Sequence, residues 1–351
     1  MNDSPARHSR GVDGTFSTSE AVELAVVERS GFIESRHAGS AIVVAPDGST
    51  IAVHGSPDAP ILPRSAMKPL QAVAVMTAGA DLEGAAAAIA TASHAGTPAH
   101  VSLVRGLLAR AGLDEGALAC PAAWPSDPTS HAVMLRAGDG PSRLTMTCSG
   151  KHAAMLLACA HNGWPVSGYL EPQHPLQVHI RDVVERMTGE KIGLSAIDGC
   201  GAPVHAMSLV ALARGIQRIG TASPSSPFAL YRHAAQLRQA VLENPWAIDG
   251  SGRPNSVIIE RLGVFAKWGA EGVMAVVAPD GTTVTLKMLD GGLRAATVVA
   301  LAMLADAGAL TGAAVAAVLP ELGLAVLGGG EVVGGIRPSY TRTRPRAATA
   351  G

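Results

Sequence analysis

Pro63-Arg64-Ser65-Ala66-Met67-Lys68-Pro69 is the stretch from which the rest of the chain can be read. Ser65 and Lys68 are three residues apart, one turn of helix, so their side chains share a face. A serine hydroxyl is a weak nucleophile at neutral pH, and a neighbouring base that takes its proton makes it a useful one. Lysine can be that base when burial or a second cation depresses its pKa. Ala66, Met67, Leu70 and Ala72 supply an apolar surround that suits this requirement. The motif alone is short enough to arise by chance, so the case depends on what surrounds it.

Upstream, Glu20 to Arg29, Ser40 to Val44 and Ile51 to His54 read as strands, with Pro46-Asp47-Gly48 as hairpin chemistry between the last two. The phrase returns as Pro279-Asp280-Gly281, joining the strands Val273–Val277 and Val284–Met288. Between these ends the spacing is helical. Helices are expected over Lys68 to Ala80, Leu82 to Ala92, Ala99 to Ala111 and His152 to His161. More follow over Pro175 to Thr188, His205 to Gly215 and Phe228 to Leu242, then Leu293 to Leu304 and Ala313 to Leu319. The expected fold class is α/β: an antiparallel sheet built from both chain ends and flanked by helices, plus a helical lobe. The expected division is a discontinuous sheet lobe, 19–66 with 190–336, around a mostly helical lobe, 67–189. Disordered tails are expected at 1–18 and 337–351. Ser65 falls where strands hand over to helices, at the cleft where a ligand site is expected.

Composition narrows the function. Of 351 residues, 48% are hydrophobic and only 16% charged, so a large core is available; aromatics are 3%, so it is built of Ala, Val, Leu and Met. A net charge of −1 gives no electrostatic case for nucleic acid. The basic cluster Arg337, Arg342, Arg344 and Arg346 falls in the C-terminal tail. The apolar run Ala295 to Pro320 is broken at Asp306, Gly308 and Gly312, which suits two buried helices rather than a membrane span. Met1 to Thr18 has no apolar signal-peptide core, so a cytoplasmic protein is expected. Cys120, Cys148, Cys159 and Cys200 then read as free thiols or metal ligands rather than disulfides.

Three further clusters carry chemistry. Ser93-His94-Ala95-Gly96 offers a second hydroxyl and a polar neighbour in a loop leading into a helix. Cys148-Ser149-Gly150-Lys151-His152 pairs with Asp198-Gly199-Cys200-Gly201, two cysteines in glycine-bearing turns that could hold a soft divalent ion. On composition, two cysteines are half a zinc shell. Lys267-Trp268-Gly269 precedes the strand Val273–Val277, where a lysine can lie close to substrate and a glycine lets its N–H approach an oxyanion.

These motifs, in this order over about residues 22 to 310, resemble the rhizobial-type L-asparaginases, the inducible, thermolabile family. The resemblance implies a fold like serine β-lactamases and the related glutaminases. It implies hydrolysis of L-asparagine, with Ser65 as nucleophile, Lys68 as its base and Ser93 with Lys267 as a second couple. It also implies zinc bound by Cys148, Lys151 and Cys200, with Asp198 close by. For the substrate's carboxylate the sequence offers Arg64 and Lys267, for its ammonium Asp198, and His94 and Gly269 are further candidates for contact with it. A homodimer is expected. The chain departs from the family pattern at Thr145-Met146-Thr147, at Pro254-Asn255 and at Ser30. A glutaminase or β-lactam-recognising relative, or a non-catalytic zinc-binding protein, are the alternatives.

Overall fold

The computed structural model describes residues 14–341. The chain begins with β1 (Val22–Arg29), β2 (Phe32–Val44), β3 (Thr50–His54) and the two-residue β4 (Pro60–Ile61). A 3₁₀ turn, Arg64–Met67, leads into α1 (Lys68–Thr77), α2 (Gly84–Ala90), α3 (Pro98–Arg110), α4 (Pro128–Ala137), α5 (Ser149–Asn162) and α6 (Pro175–Thr188). Short strands β5 (Ser195–Ile197), β6 (Pro203–His205) and β7 (Met207–Ser208) precede α7 (Leu209–Gly220), α8 (Ala229–Glu243) and α9 (Pro254–Leu262). The chain then returns to the sheet with β8 (Phe265–Gly269), β9 (Val273–Val277) and β10 (Thr283–Met288). It closes with α10 (Ala296–Asp306), α11 (Gly312–Val318), β11 (Ala325–Gly328) and β12 (Glu331–Pro338).

The main sheet has eight strands in the order β11-β12-β1-β2-β10-β9-β8, with β3 also paired to β2, and every pairing is antiparallel. The expected α/β class, with both chain ends in one sheet, holds. β9 and β10 are buried at every position, which requires cover on both faces. α7 and α10 supply it. The two Pro-Asp-Gly turns are built alike. Asp47 Oδ1 accepts the Ser49 N–H at 2.9 Å, and Asp280 Oδ1 accepts the Thr282 N–H at 2.9 Å. Gly48 and Gly281 take the positive φ each turn requires, 87° and 96°. Gln217 ties the turns together, its Nε2 donating to Ala45 O (2.7 Å) and Gly281 O (2.9 Å).

On the other side of the Ser65 turn, α1 is buried from Lys68 to Met76 and packs against α2, α5, α6, α7 and α8. A helix covered on all sides needs no polar face, so its charged residue stands out. The broken apolar run forms α10 and α11, and no helix among the described residues is long and apolar enough to cross a membrane.

The structure departs from the sequence reading in places. β2 begins at Phe32 rather than Ser40, because its first half, Phe32 to Arg36, is largely exposed and carries no alternation toward a core. β11 and β12 had no counterpart in the reading. Gly334-Gly335 weakens the strand pattern of β12, yet a Cβ on Gly334 would lie 1.8 Å from Glu28 O, so the pairing with β1 needs that glycine. β12 includes Arg337 and Pro338, which the reading put in a tail, and Phe16, read in the other tail, is only 3% exposed. The remainder of both expected tails, 1–13 and 342–351, lies outside the described residues, and Arg342, Arg344 and Arg346 with it. α4 and α9 were also unread, and the helix read from His205 starts at Leu209 after two short strands.

Candidate active site

The chain enters the 3₁₀ turn through Arg64, whose φ of 50° is uncommon for a side-chain-bearing residue and costs about 1–3 kcal/mol. An ion pair holds it there: Arg64 Nε donates to Asp198 Oδ1 at 2.6 Å. The turn packs tightly on β8. A Cβ on Gly269 would lie 2.3 Å from Pro63 O and 2.9 Å from Ala66 N, so only glycine lets the edge strand approach the turn. Ser65 is 8% exposed and its hydroxyl makes no hydrogen bond to a described residue.

Lys68, one turn on, is buried, but its amine is bonded elsewhere than the spacing suggested. Nζ donates to Ala92 O at 2.5 Å and to Ser93 Oγ at 3.1 Å. Ser93 follows α2 in a loop held by backbone bonds, from Ser93 N to Ile248 O (2.9 Å) and from Ala95 N to Asp249 O (2.8 Å). Lys267, read from sequence as preceding the strand Val273–Val277, lies in the middle of a strand of its own, β8. Its Nζ donates to the same Ser93 Oγ at 2.9 Å and to Trp268 O at 2.8 Å, and sits 4.6 Å from the Trp268 ring centroid. Ser93 Oγ thus joins two buried amines. Burial, reinforced by the Lys68 charge, holds the Lys267 pKa well below that of an ordinary lysine, against the pull of Asp249 and Cys148. An amine so placed can accept the Ser93 proton.

His94, expected as a substrate contact, is turned into the protein. It is 1% exposed and both ring nitrogens are engaged inside the protein. Nδ1 accepts the Gly96 N–H at 3.1 Å, so Nε2 carries the proton and donates to Ser149 Oγ at 2.9 Å. Burial, then the charges of His100 and Lys68, push its pKa well down. The ring braces the Ser93 loop against the start of α5.

Of the expected metal ligands, Lys151 and Cys200 are in contact. Cys148 caps the N-terminus of α5, Lys151 lies one turn along, and Cys200 comes from the loop between β5 and β6; all three are buried. Lys151 Nζ donates to Cys200 Sγ at 3.2 Å, and Cys200 Sγ is 3.8 Å from Asp198 Oδ2. Interaction with Cys200, with the Lys68 and Lys151 charges, lowers Cys148 well below a usual thiol against its burial, while interaction with Cys148 and burial raise Cys200. No group of three His, Cys, Asp or Glu side chains among the described residues is arranged to hold a metal, so a site here needs Lys151 as a donor. Two sulfurs and one nitrogen are donor types that zinc takes, but against the effect of burial the charges of Cys200, Cys148 and Asp198 raise the Lys151 pKa, so a metal here would have to displace that proton.

Sequence reading missed several members. His152, adjacent to Lys151, bonds Tyr169 OH through Nδ1 at 2.6 Å, and its buried Nε2 lacks an aligned partner beside Cys200. Asp249, whose Oδ1 lies 3.0 Å from Arg253 Nε, was not singled out, although Arg253 falls in the glycine-bearing turn that ends in Pro254-Asn255. Beside Arg64 an open cleft of about 380 Å³ is lined in part by Leu62, Leu194, Glu271 and Lys287.

A sheet-and-helix scaffold with a hydroxyl and amine cluster at its junction belongs to the class of hydrolases acting on amides, as the sequence comparison bears out. Residues 25–338 match the family described as L-asparaginase II, and the chain belongs to that family. No curated protein sequence matches it. Among solved structures the chain is similar to a β-lactamase from Mycobacterium bovis (17% identity, 76% of this chain and 94% of that one, TM-score 0.43). It is also similar to a putative β-lactamase from Bacteroides dorei (12%, 71% and 84%, TM-score 0.41) and to a Bacillus glutaminase (14%, 78% and 91%, TM-score 0.32). The assignment rests on the family match.

Proposed function

We propose that the protein hydrolyses the side-chain amide of L-asparagine to L-aspartate and ammonia through an acyl-enzyme on Ser65. The observation that carries this reading is the buried chain Lys68–Ser93–Lys267 beside a serine whose hydroxyl is free of hydrogen bonds. Lys68, in its neutral form, takes the proton from Ser65 Oγ as the oxygen attacks the amide carbon. The backbone N–H groups of Ser65 and Gly269 receive the oxyanion, each worth about 3–4 kcal/mol of barrier. Ser93 and Lys267 supply the proton to the departing ammonia, and water then releases aspartate by the reverse route.

Arg64 and Asp198 neutralise one another at the rim and are the groups on hand for the substrate's carboxylate and ammonium. Cys148, Lys151 and Cys200 would hold a zinc ion that organises this side of the pocket. Lysine binds a metal only when deprotonated and the thiols as thiolates, so zinc affinity falls with pH. We place the protein in the cytoplasm as a homodimer; all four cysteines are free and buried, which suits a reducing compartment.

Ammonia release from L-asparagine, measured beside L-glutamine and a chromogenic β-lactam, tests the reading. Turnover of asparagine supports it. Preference for glutamine or the β-lactam moves the protein to a relative's substrate, and no turnover of any of the three ends the enzymatic reading. Pocket length alone separates asparagine from glutamine by about 1–3 kcal/mol.

A further inference from the structure

β10 is buried at every position, yet it carries a lysine, Lys287, which is only 7% exposed. Its Nζ donates to Glu271 O at 2.7 Å and to Met288 O at 3.1 Å. An ammonium has three N–H groups. Two are taken, and the third meets no acceptor among the described residues. A buried donor without a partner is costly, so what Lys287 faces matters.

Lys287 lines the cleft of about 380 Å³ that runs beside Arg64. That volume falls in the range of small-molecule pockets, about 300–1,000 Å³. Ile61, at the end of β4, and Leu62 after it give the cleft one apolar wall. Leu194, just before β5, gives another and is 40% exposed. The charges on the walls are not equivalent. Arg64 is already paired with Asp198, its Nε 2.6 Å from Oδ1. Glu271, the one acid among the described lining residues, is exposed, so solvent screens its carboxylate. Lys287 is neither screened in that way nor ion-paired to a described residue. Its place in the wall is fixed by the turn after β8, where Glu271 takes a φ of 59° and its carbonyl is the nearer of the two acceptors.

We propose that this cleft is a second small-molecule site and that it takes a carboxylate carried on an aliphatic body. The carboxylate accepts the third N–H of Lys287, and the aliphatic part lies on Ile61, Leu62 and Leu194. Ser65, Lys68, Ser93 and Lys267 are not among the lining residues. Binding here therefore involves no turnover, and it stands or falls apart from the asparagine reading.

Hexanoate is the probe, titrated into the full-length protein by calorimetry beside hexanol and hexylamine. Hexanoate is expected to bind saturably, once per chain. Hexanol, which keeps the aliphatic body, should bind about tenfold more weakly or worse, and hexylamine not at all. Lys287→Met keeps the length of the side chain and removes the ammonium; it should weaken hexanoate by about tenfold or more. Leu194→Glu, at an exposed position, sets a like charge in the wall and should weaken hexanoate by about fivefold. If Lys287→Met does not fold, because Glu271 O and Met288 O lose their donor, Leu194→Glu decides. The proposal is overturned by an absence of hexanoate binding, by equal affinity for hexanoate and hexylamine, or by unchanged affinity in a variant that folds. Displacement of hexanoate by saturating L-aspartate overturns it too, since the probe would then lie in the substrate pocket.

Discussion

Ser65 and Ser93 are both buried hydroxyls at the junction of sheet and helices, yet they are held in opposite ways. Ser65 Oγ has no hydrogen-bond partner among the described residues, on a turn pinned by the strained Arg64 and by Gly269 beneath it. Ser93 Oγ is gripped by two lysine amines, 3.1 and 2.9 Å away, on a loop fixed by Ile248 and Asp249. The backbone fixes the first oxygen and leaves its lone pairs available. The side chains fix the second and occupy them. A nucleophile needs the former condition, a proton carrier the latter.

The contrast can be broken most severely at Ser65. Ser65→Ala should lower kcat by about 10⁴-fold or more with the fold retained, since nothing replaces the attacking oxygen. Near-wild-type ammonia release by that variant would transfer the nucleophile's role to Ser93 and undo the contrast. Ser93→Ala should cost less, about 10²–10³-fold in kcat, the size of a lost proton-transfer group, with KM little changed. Equal losses in the two variants would mean that the hydroxyls act as one unit.

The pH profile sharpens the same point. Lys267 serves as a proton acceptor only when neutral, and burial holds its pKa below the ordinary lysine value. Activity should therefore be present above that lowered pKa and lost as pH falls through it. A kcat that is flat across the acidic side would show that Lys267 does not exchange a proton in turnover. The smallest effect on turnover is expected at the thiols, which touch neither serine in the bonds described. Cys148→Ala and Cys200→Ala should each lose bound zinc by elemental analysis while turnover falls less than in either serine variant. Full zinc occupancy in one of them would remove that cysteine from the ligand set.

Some of this was legible in the chain and some was not. The paired Pro-Asp-Gly turns and the broken apolar run between α10 and α11 are local features, and they took the form that backbone and spacing rules require. The strands β11 and β12 escaped because Gly334-Gly335 carries no strand pattern, and its purpose appears only once Glu28 lies against it. His94 was read as a candidate substrate contact because a histidine beside Ser93 is a polar neighbour, and only the fold shows both its nitrogens bonded within the protein. Asp249 was passed over beside the glycine-bearing turn that follows it, because its bond to the Ser93 loop, Ala95 N to Asp249 O at 2.8 Å, joins segments far apart in the chain.

By itself the sequence determined the elements that repeat within a few residues, the broad α/β class and the serine, lysine and cysteine types on hand, since those depend on local backbone preference and on chemistry carried by each residue. Only the tertiary structure decided which amine meets which hydroxyl. Lys68 lies one turn from Ser65 in the chain but bonds Ser93, 25 residues away, and Lys267 reaches that same oxygen across 174 residues. Hydrogen bonds and burial depend on distance in space, and chain spacing fixes that distance only within a single turn of helix or strand pair.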